Sequence, residues 1–349
     1  MKETLNFSVR KIMVLSSVIT LGWLVKPLIG YVIDNFLNKR IWIFIALVLD
    51  IIASLFLGFM RLPIFALITL LLVNSTNTAF RDVAVDGIMC VEGKKYQATG
   101  RIQSIQWISI SLAGLITGIG GGFMAQRWGY QAAFLCLVPV YLVVGFLAFR
   151  YDGGGLQSGK ASSRLSADMK KLFSDRRILV VALFIFLYKF SPSFGAPLLF
   201  IQRDSFKWSK IWIGALGTTS TIFGIIGSVL YYRFSKKINM KKWLFFSVFL
   251  GAVSALSYLY YTPVTAVIYD VSYSFIGMFI FLLLMDFMAR NTLEGLEATS
   301  FALLCSVSNL AGIAGNLSGA LLLPLVGLKW LIVASALTSF LCLFLIDRI

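Results

Sequence analysis

The sequence predicts an all-α protein that crosses a lipid membrane repeatedly. Hydrophobic residues make up 59% of the 349 residues, and the mean hydropathy is +0.87, far above the range of a soluble domain. About eleven apolar stretches each approach the length of about 20 residues that a helix needs to span the hydrocarbon core. A membrane β-barrel is excluded because segments of about ten strictly alternating residues do not occur.

The predicted membrane helices follow one another along the whole chain. The first apolar stretch continues past Trp23 and Lys26 to Asp34 without a small-residue cleavage site, so it predicts a retained helix and not a signal peptide. By their hydropathy, the stretches cover approximately residues 8–33, 41–60, 62–88, 102–124, 130–150, 178–201, 211–233, 243–261, 264–288, 298–322 and 330–347.

The basic residues predict the orientation of these helices. The formal net charge is +16, which in a polytopic protein reflects loop charges that set topology and does not indicate a nucleic-acid partner. Their distribution predicts an outside N-terminus and a cytoplasmic C-terminus in a plasma or inner membrane. Residues 150–177 form the one extended polar segment, typical of a cytoplasmic linker. We therefore expect a helical half at 1–150, a linker at 151–177 and a second half at 178–349.

Glycine spacing indicates that the two halves are pseudo-repeats. Small residues at every fourth position let helices approach closely in a membrane. Such a stripe occurs in the fourth predicted helix at Gly114, Gly118 and Gly122 and in the tenth at Gly315 and Gly319. Asn309, also in the tenth predicted helix, is expected to form a hydrogen bond to a neighbouring helix. The two stripes lie six predicted helices apart. This register assigns six helices to the second half and five to the first. One helix is therefore expected to be missing before residue 8.

The stretch NTAFRDVAVDG, residues 77–87, places charges within a predicted membrane helix. A charge near the centre of a lone spanning helix costs about 2.5–3.5 kcal/mol, so such residues face protein, water or each other. Asp82 and Asp86 lie on one helix face, with Asn77 and Arg81 nearby. We expect this helix to line a central cleft, with Lys26 deep enough to pair with Asp82 or Asp86. Two roles remain open: structural ion pairs, or binding of an anionic substrate or a proton.

Other polar residues within or beside the apolar stretches are further candidates. Lys189 precedes Pro192, which breaks a helix at a depth where transporters place substrate sites. Asp50 is expected to face a packing partner. Aromatic residues at the end of a span, Tyr258, Tyr260 and Tyr261, are expected at the membrane interface. A cytoplasmic gate is expected from the charged residues near the loops: Asp34, Arg40, Arg290, Glu294 and Glu297.

Five motifs in order resemble the folate–biopterin transporter family of the major facilitator superfamily. They are VKPLIGYVID (25–34), RDVAVDG (81–87), GRIQSIQW (100–107), KFSPSFGAPLLF (189–200) and EGLEATSFALLCSVSNLAG (294–312). The resemblance implies two helical halves around a central cleft and a pterin-like or folate-like solute. It also implies functional roles for Lys26, Pro27, Asp34, Asp82, Asp86, Gln103, Pro192, Glu297 and Asn309. The segment Asn291–Glu294 departs from the family pattern.

These observations predict a secondary active transporter of a small organic solute, working by alternating access. Lys26, Arg81 and Lys189 would complement an anion, and Asp82 or Asp86 would carry a coupling proton. One alternative is a non-transporting scaffold or assembly component, with a membrane protein partner supplying the contacts of the missing helix. Another is a permease for a different solute class. An enzyme, a metal site or a cofactor is not expected, because the chain has no histidine, no phosphate loop and only four isolated cysteines.

Overall fold

A computed structural model describes residues 25–60, 63–150, 170 and 172–346, and this part of the chain is helical without strands. A π-helical turn, Ile201–Ser205, directly follows the short helix Gly195–Phe200. The main helices are α1 (Lys26–Asn35), α2 (Lys39–Phe59), α3 (Ile64–Lys95), α4 (Thr99–Leu135), α5 (Leu137–Arg150), α6 (Arg176–Lys189), α7 (Gly195–Phe200), α8 (Lys210–Phe234), α9 (Met240–Ser257), α10 (Pro263–Arg290), α11 (Glu297–Ser339) and α12 (Leu343–Ile346). The predicted all-α class is confirmed.

The chain is an integral membrane protein with several spans. Within the described residues, six helical segments are long and apolar enough to cross a membrane: Lys39–Phe59, Gln131–Arg150, Trp212–Lys237, Met240–Tyr260, Pro263–Arg290 and Glu297–Ile346. The last contains two predicted spans. The predicted total of eleven is not confirmed by this count. Residues 8–24 of the first predicted span and 151–169 of the predicted linker lie outside the described residues.

Two glycines separate consecutive predicted spans. Gly129 in α4 has a φ of 79°, and Gly327 in α11 has a φ of 74°. These angles fall in the left-handed region, which glycine enters without the steric cost of a Cβ atom. Each helix therefore kinks at the boundary that hydropathy predicts, between 124 and 130 and between 322 and 330.

Short polar side chains begin several helices where the chain re-enters from a loop. The side chains of Asn38, Asp175, Ser209 and Asn239 each accept a backbone N–H from the first turn of α2, α6, α8 and α9. Thr262 forms a capping box at the start of α10. These contacts satisfy amides that have no partner within the helix.

The structure divides into two compact units. Unit 1 comprises Met1–Val91, Ile116–Asp168 and Leu293–Leu303, and unit 2 comprises Glu92–Leu115, Met169–Thr292 and Leu304–Ile349. In unit 1, Ile33 of α1, Leu47 of α2, Val83 of α3 and Ala298 of α11 share a buried core. In unit 2, Tyr231 of α8 packs edge-on against Phe279 of α10. The division of the sequence into 1–150, 151–177 and 178–349 stays a prediction.

The chain is broken between α6 and α7, at Pro192, and this break packs on glycines of α11. The Ser193 amide donates to the Gly315 carbonyl over 2.9 Å. A Cβ added at Gly315 or Gly319 would lie less than 3 Å from the carbonyl oxygens of Ser191 or Ser193. Glycine at these two positions therefore permits the backbone of the break to touch α11.

Gly114 and Gly118 of the predicted stripes show no such close approach in the described part. An added Cβ at Gly114 or Gly118 would meet nothing within 4 Å there, and the surroundings of Gly122 lie outside the description. Asn309 is exposed. The packing roles of these four residues stay predictions.

Replacing Gly319 by valine should destabilise the protein, because the added side chain collides with the backbone of the helix break. Overpacking typically costs about 1–3 kcal/mol. We expect a lower melting temperature of the purified protein in detergent. Gly312→Val is the matched control, since it lies on α11 and an added Cβ there meets nothing within 4 Å. Equal melting temperatures of the two variants would contradict the close approach.

Candidate functional site

Lys26 and Asp82 form an ion pair inside unit 1. The Lys26 ammonium, at the first turn of α1, lies 2.6 Å from the Asp82 carboxylate of α3. Lys26 is buried, whereas the Asp82 side chain is 35% exposed. The predicted pairing with Asp82 is therefore present, and the acidic partner is the more exposed member of the pair. Asp86, one turn further along α3, is half-buried.

A second ion pair in unit 1 neutralises Asp50, whose side chain is fully buried in α2. Arg81 of α3 binds one carboxylate oxygen, and the Asn74 amide donates to the other over 3.3 Å. The Arg81 guanidinium also lies 5.4 Å from the centroid of the Tyr141 ring. Asn77 is buried on the same helix, one turn from Asn74. As expected, Asp50 faces a packing partner.

Asp34 binds the amino-terminal turn of α11. Its carboxylate accepts the backbone N–H groups of Ala298 and Thr299 at 3.3 and 2.8 Å and the Thr299 hydroxyl at 2.8 Å. The Lys39 ammonium lies 3.0 Å from the same carboxylate and supplies its countercharge. Free amides and the helix dipole make this end of α11 favourable for a buried anion. Gly30 allows the approach, because a Cβ there would lie under 3 Å from the Ala298 backbone.

The other predicted gate residues make separate contacts. The Arg40 guanidinium donates to the backbone carbonyl of Phe149 and lies over the Phe149 ring. These contacts connect α2 to the end of α5. Glu297 accepts the Gly295 amide over 3.1 Å. Glu294 is exposed. The participation of these residues in a gate stays a prediction.

Arg290 belongs to a group of polar side chains in unit 2 that surrounds one buried carboxylate. Its guanidinium binds both oxygens of the fully buried Asp286 at 2.9 and 2.7 Å. The Tyr231 hydroxyl donates to Asp286 over 2.8 Å, and the Thr99 hydroxyl donates to its other oxygen. Sequence reasoning identified Arg290 but missed Thr99 and Tyr231, since neither lies in a charged or broken segment.

Lys189 lines a cavity of about 370 Å³ in unit 2. Its ammonium lies 5.3 Å from the centroid of Phe281, which meets Trp107 edge to face at 4.5 Å. Gln103, one turn before Trp107, is buried. Hydroxyl groups supply much of the polar lining, at Ser191, Ser247, Ser254, Ser335 and Ser339. Within the described residues no carboxylate lies at ion-pair distance from Lys189.

A second cavity, of about 390 Å³, adjoins the first through Tyr258, which lines both. Gln202 is buried there and donates to the Tyr261 oxygen over 2.7 Å and to the Asp270 carboxylate over 3.2 Å. Tyr258 and Tyr261 line these cavities, and their position at the membrane interface stays a prediction. Tyr260, at 78% exposure, is the one that points outward.

The side chains of these sites can bind a ligand through charge, hydrogen bonds and aromatic contacts. Groups of three or more His, Cys, Asp or Glu side chains suited to a metal ion do not occur in the part of the chain that the structure describes. The two cavities offer a cation at one end, a carboxylate at the other and aromatic rings between them. Sequence reasoning missed the Asp270 site, because Gln202 gives no signal of its own.

Comparison with known proteins identifies relatives over much of the chain. A family model described as BT1 family matches residues 1–346. A folate-biopterin transporter of Synechocystis is 24% identical over 272 residues, which cover 72% of this chain and 54% of that protein. Folate transporter 1 of Plasmodium falciparum is 22% identical over 232 residues, covering 61% and 46%. The chain thus spans about half the length of these relatives.

Solved structures share the fold at low sequence identity. The fucose:proton symporter of Escherichia coli aligns with a TM-score of 0.78 and 13% identity, covering 97% of this chain and 91% of the symporter. The human organic anion transporter MFSD10 aligns with a TM-score of 0.71 and 19% identity, covering 95% and 82%. The chain therefore shares the fold of these two proteins.

Removing Arg81 should destabilise the protein strongly, because Asp50 would be left buried without its countercharge. We expect Arg81→Leu to lower the unfolding free energy by up to about 3–5 kcal/mol, measured by denaturation in detergent. The double variant Asp50→Leu/Arg81→Leu should recover much of this loss. Arg203→Ala removes an exposed pair with Asp204 and should change little. A double variant as unstable as the single one would contradict the assignment.

Proposed function

Because the chain belongs to the BT1 family, we propose that it is a secondary active transporter of a small organic anion with a pterin-like or folate-like ring. The transporter fold and the two named relatives support this proposal. Solute and a coupling proton drive alternating access by binding differently to the outward and inward states. The solute and the surrounding lipid are its partners, and no catalytic step is involved.

The observation that carries the proposal is the charge environment of Lys189. Lys26 and Arg81 face the carboxylates of Asp82 and Asp50. Lys189 has no such partner within the described residues, and it lines a cavity. A half-buried ammonium without a countercharge is costly in a low-dielectric environment, so an anionic ligand that enters the cavity is attracted to it.

The surroundings of Lys189 suit an aromatic anion. The rings of Tyr188, Phe194, Tyr258 and Tyr273 line the same cavity as Lys189. Ser191 and Ser335 already bond to each other, which fixes the geometry of the helix break. A flat ring can therefore pack against aromatic side chains while its acidic group binds Lys189.

The Lys26–Asp82 pair is our candidate for proton coupling. The Asp82 side chain is the exposed member, so water can deliver a proton to it. Protonation removes the charge that holds the Lys26 ammonium and weakens this contact between α1 and α3. Asp86, on the same face of α3, is the second candidate carboxylate. In this scheme Lys26 and Arg81 position the carboxylates, and the N-terminus lies outside with the C-terminus in the cytoplasm.

Lys189→Gln should weaken transport of an anionic solute selectively. Loss of one charge-assisted hydrogen bond corresponds to about 1.5–3 kcal/mol, or roughly 10- to 100-fold in apparent affinity. The measurement is uptake of radiolabelled folate by proteoliposomes that contain the purified protein. Lys189→Arg keeps the charge and should retain more activity than Lys189→Gln.

Lys236→Gln is the matched control, because Lys236 is an exposed lysine of the turn after α8. It should transport folate like the unmodified protein. Normal uptake by Lys189→Gln, in a protein that melts at the unmodified temperature, would refute the role of Lys189. Absence of uptake of folate, biopterin and a panel of organic anions by the unmodified protein would refute the proposed function.

A further inference from the structure

We propose that the cavity at Asp270 is a second recognition site, which binds the donor-rich ring of the solute while Lys189 binds its anionic end. This inference rests on the proposed function and specifies the solute class. The ligand is elongated, with a negatively charged group at one end and a heteroaromatic ring carrying adjacent N–H donors at the other. Aminopyrimidine rings, including pterins, have this donor pattern.

Asp270 presents an acceptor that the protein itself satisfies only in part. One of its oxygens accepts the Gln202 amide over 3.2 Å, and within the described residues no lysine or arginine lies at ion-pair distance. Gln202 is held by the Tyr261 hydroxyl at 2.7 Å. An ionised carboxylate only accepts hydrogen bonds, so the remaining capacity of Asp270 fits a ligand with paired donors.

Gln202 and Tyr261 orient this carboxylate and also shape the ring pocket. Gln202 lies in the π-helical turn that follows the break at Pro192, so the same irregular segment places both recognition sites. Leu198 and Leu216 supply apolar walls. The pocket therefore combines apolar walls with one anionic acceptor, a composition that favours a neutral aromatic ring with donors over a second anion.

Tyr258 connects the two sites. It lines both cavities, and its ring contacts those of Phe194 at 5.4 Å and Tyr273 at 5.6 Å. These rings provide stacking surfaces along the path between the cavities. A conjugate of two aromatic groups can pack against them without burying further polar atoms.

The separation of the two sites excludes a single small ring as the ligand that fills both. Asp270 and Phe281, the ring that contacts Lys189, lie on the same helix, about 16 Å apart along its axis at a rise of about 1.5 Å per residue. A free pterin can therefore occupy the Asp270 end alone. An acidic conjugate such as folate reaches both ends.

Binding of three probes to the purified full chain in detergent tests this division. The probes are biopterin, which has the donor ring without an acid, p-aminobenzoyl-glutamate, which has the acid without the donor ring, and folate, which has both. We expect Asp270→Asn to weaken biopterin and folate by about tenfold or more and to leave p-aminobenzoyl-glutamate unchanged. Lys189→Gln should show the converse pattern, with biopterin unchanged.

Two further variants keep the result interpretable. Tyr261→Phe removes the hydroxyl that holds Gln202 and should reproduce the probe pattern of Asp270→Asn more weakly, even where Asp270→Asn folds poorly. Asp204→Asn, an exposed aspartate after α7, is the matched control and should bind all three probes normally. Melting curves of every variant separate a binding defect from unfolding.

The outcomes distinguish this inference from the proposed function. Selective loss of biopterin and folate supports the site at Asp270. An equal loss of all three probes in folded Asp270→Asn and Tyr261→Phe, or no loss at all, overturns it while leaving the transporter proposal intact. Failure of the unmodified protein to bind any of the three overturns both.

Discussion

A charge inside a membrane protein has to find its countercharge within the protein, because the hydrocarbon core offers none. Three fully buried carboxylates in the described residues meet this constraint differently. Asp50 uses Arg81 and an asparagine amide, and Asp34 uses Lys39 together with free helix amides. Asp286 uses Arg290 and two hydroxyl groups. The helices that carry these residues are fixed to one another by that requirement.

These contacts join segments that are remote in sequence. Asp34 and Thr299 are 265 residues apart, and Thr99 and Asp286 are 187 apart. Each contact is local in space and depends on the ionised state of one carboxylate. Such contacts are suited to a protein that changes conformation, since a proton or a competing ligand weakens a single contact while the apolar helix packing persists.

Lys189, like Asp270, has no countercharge among the described residues. Its ammonium contacts the face of Phe281 and Lys189 lines a cavity, and in the proposed function an incoming anion supplies the countercharge. Its position was predictable, because a lysine beside a proline in an apolar stretch marks a break in a membrane helix. The Asp270 site was not, since Gln202 and Tyr258 are ordinary residues until the chain folds.

The sequence by itself determined the helical membrane class, the order of the apolar stretches and the kinks, because hydropathy over about 20 residues and glycine at a left-handed φ act locally. It also placed Lys26 at the depth of Asp82. Only the tertiary structure decided that Arg81 belongs to Asp50, that Asp34 caps α11, and that Tyr258 lines two cavities. These contacts depend on which helix faces pack against each other, and that pairing cannot be read from a local sequence pattern.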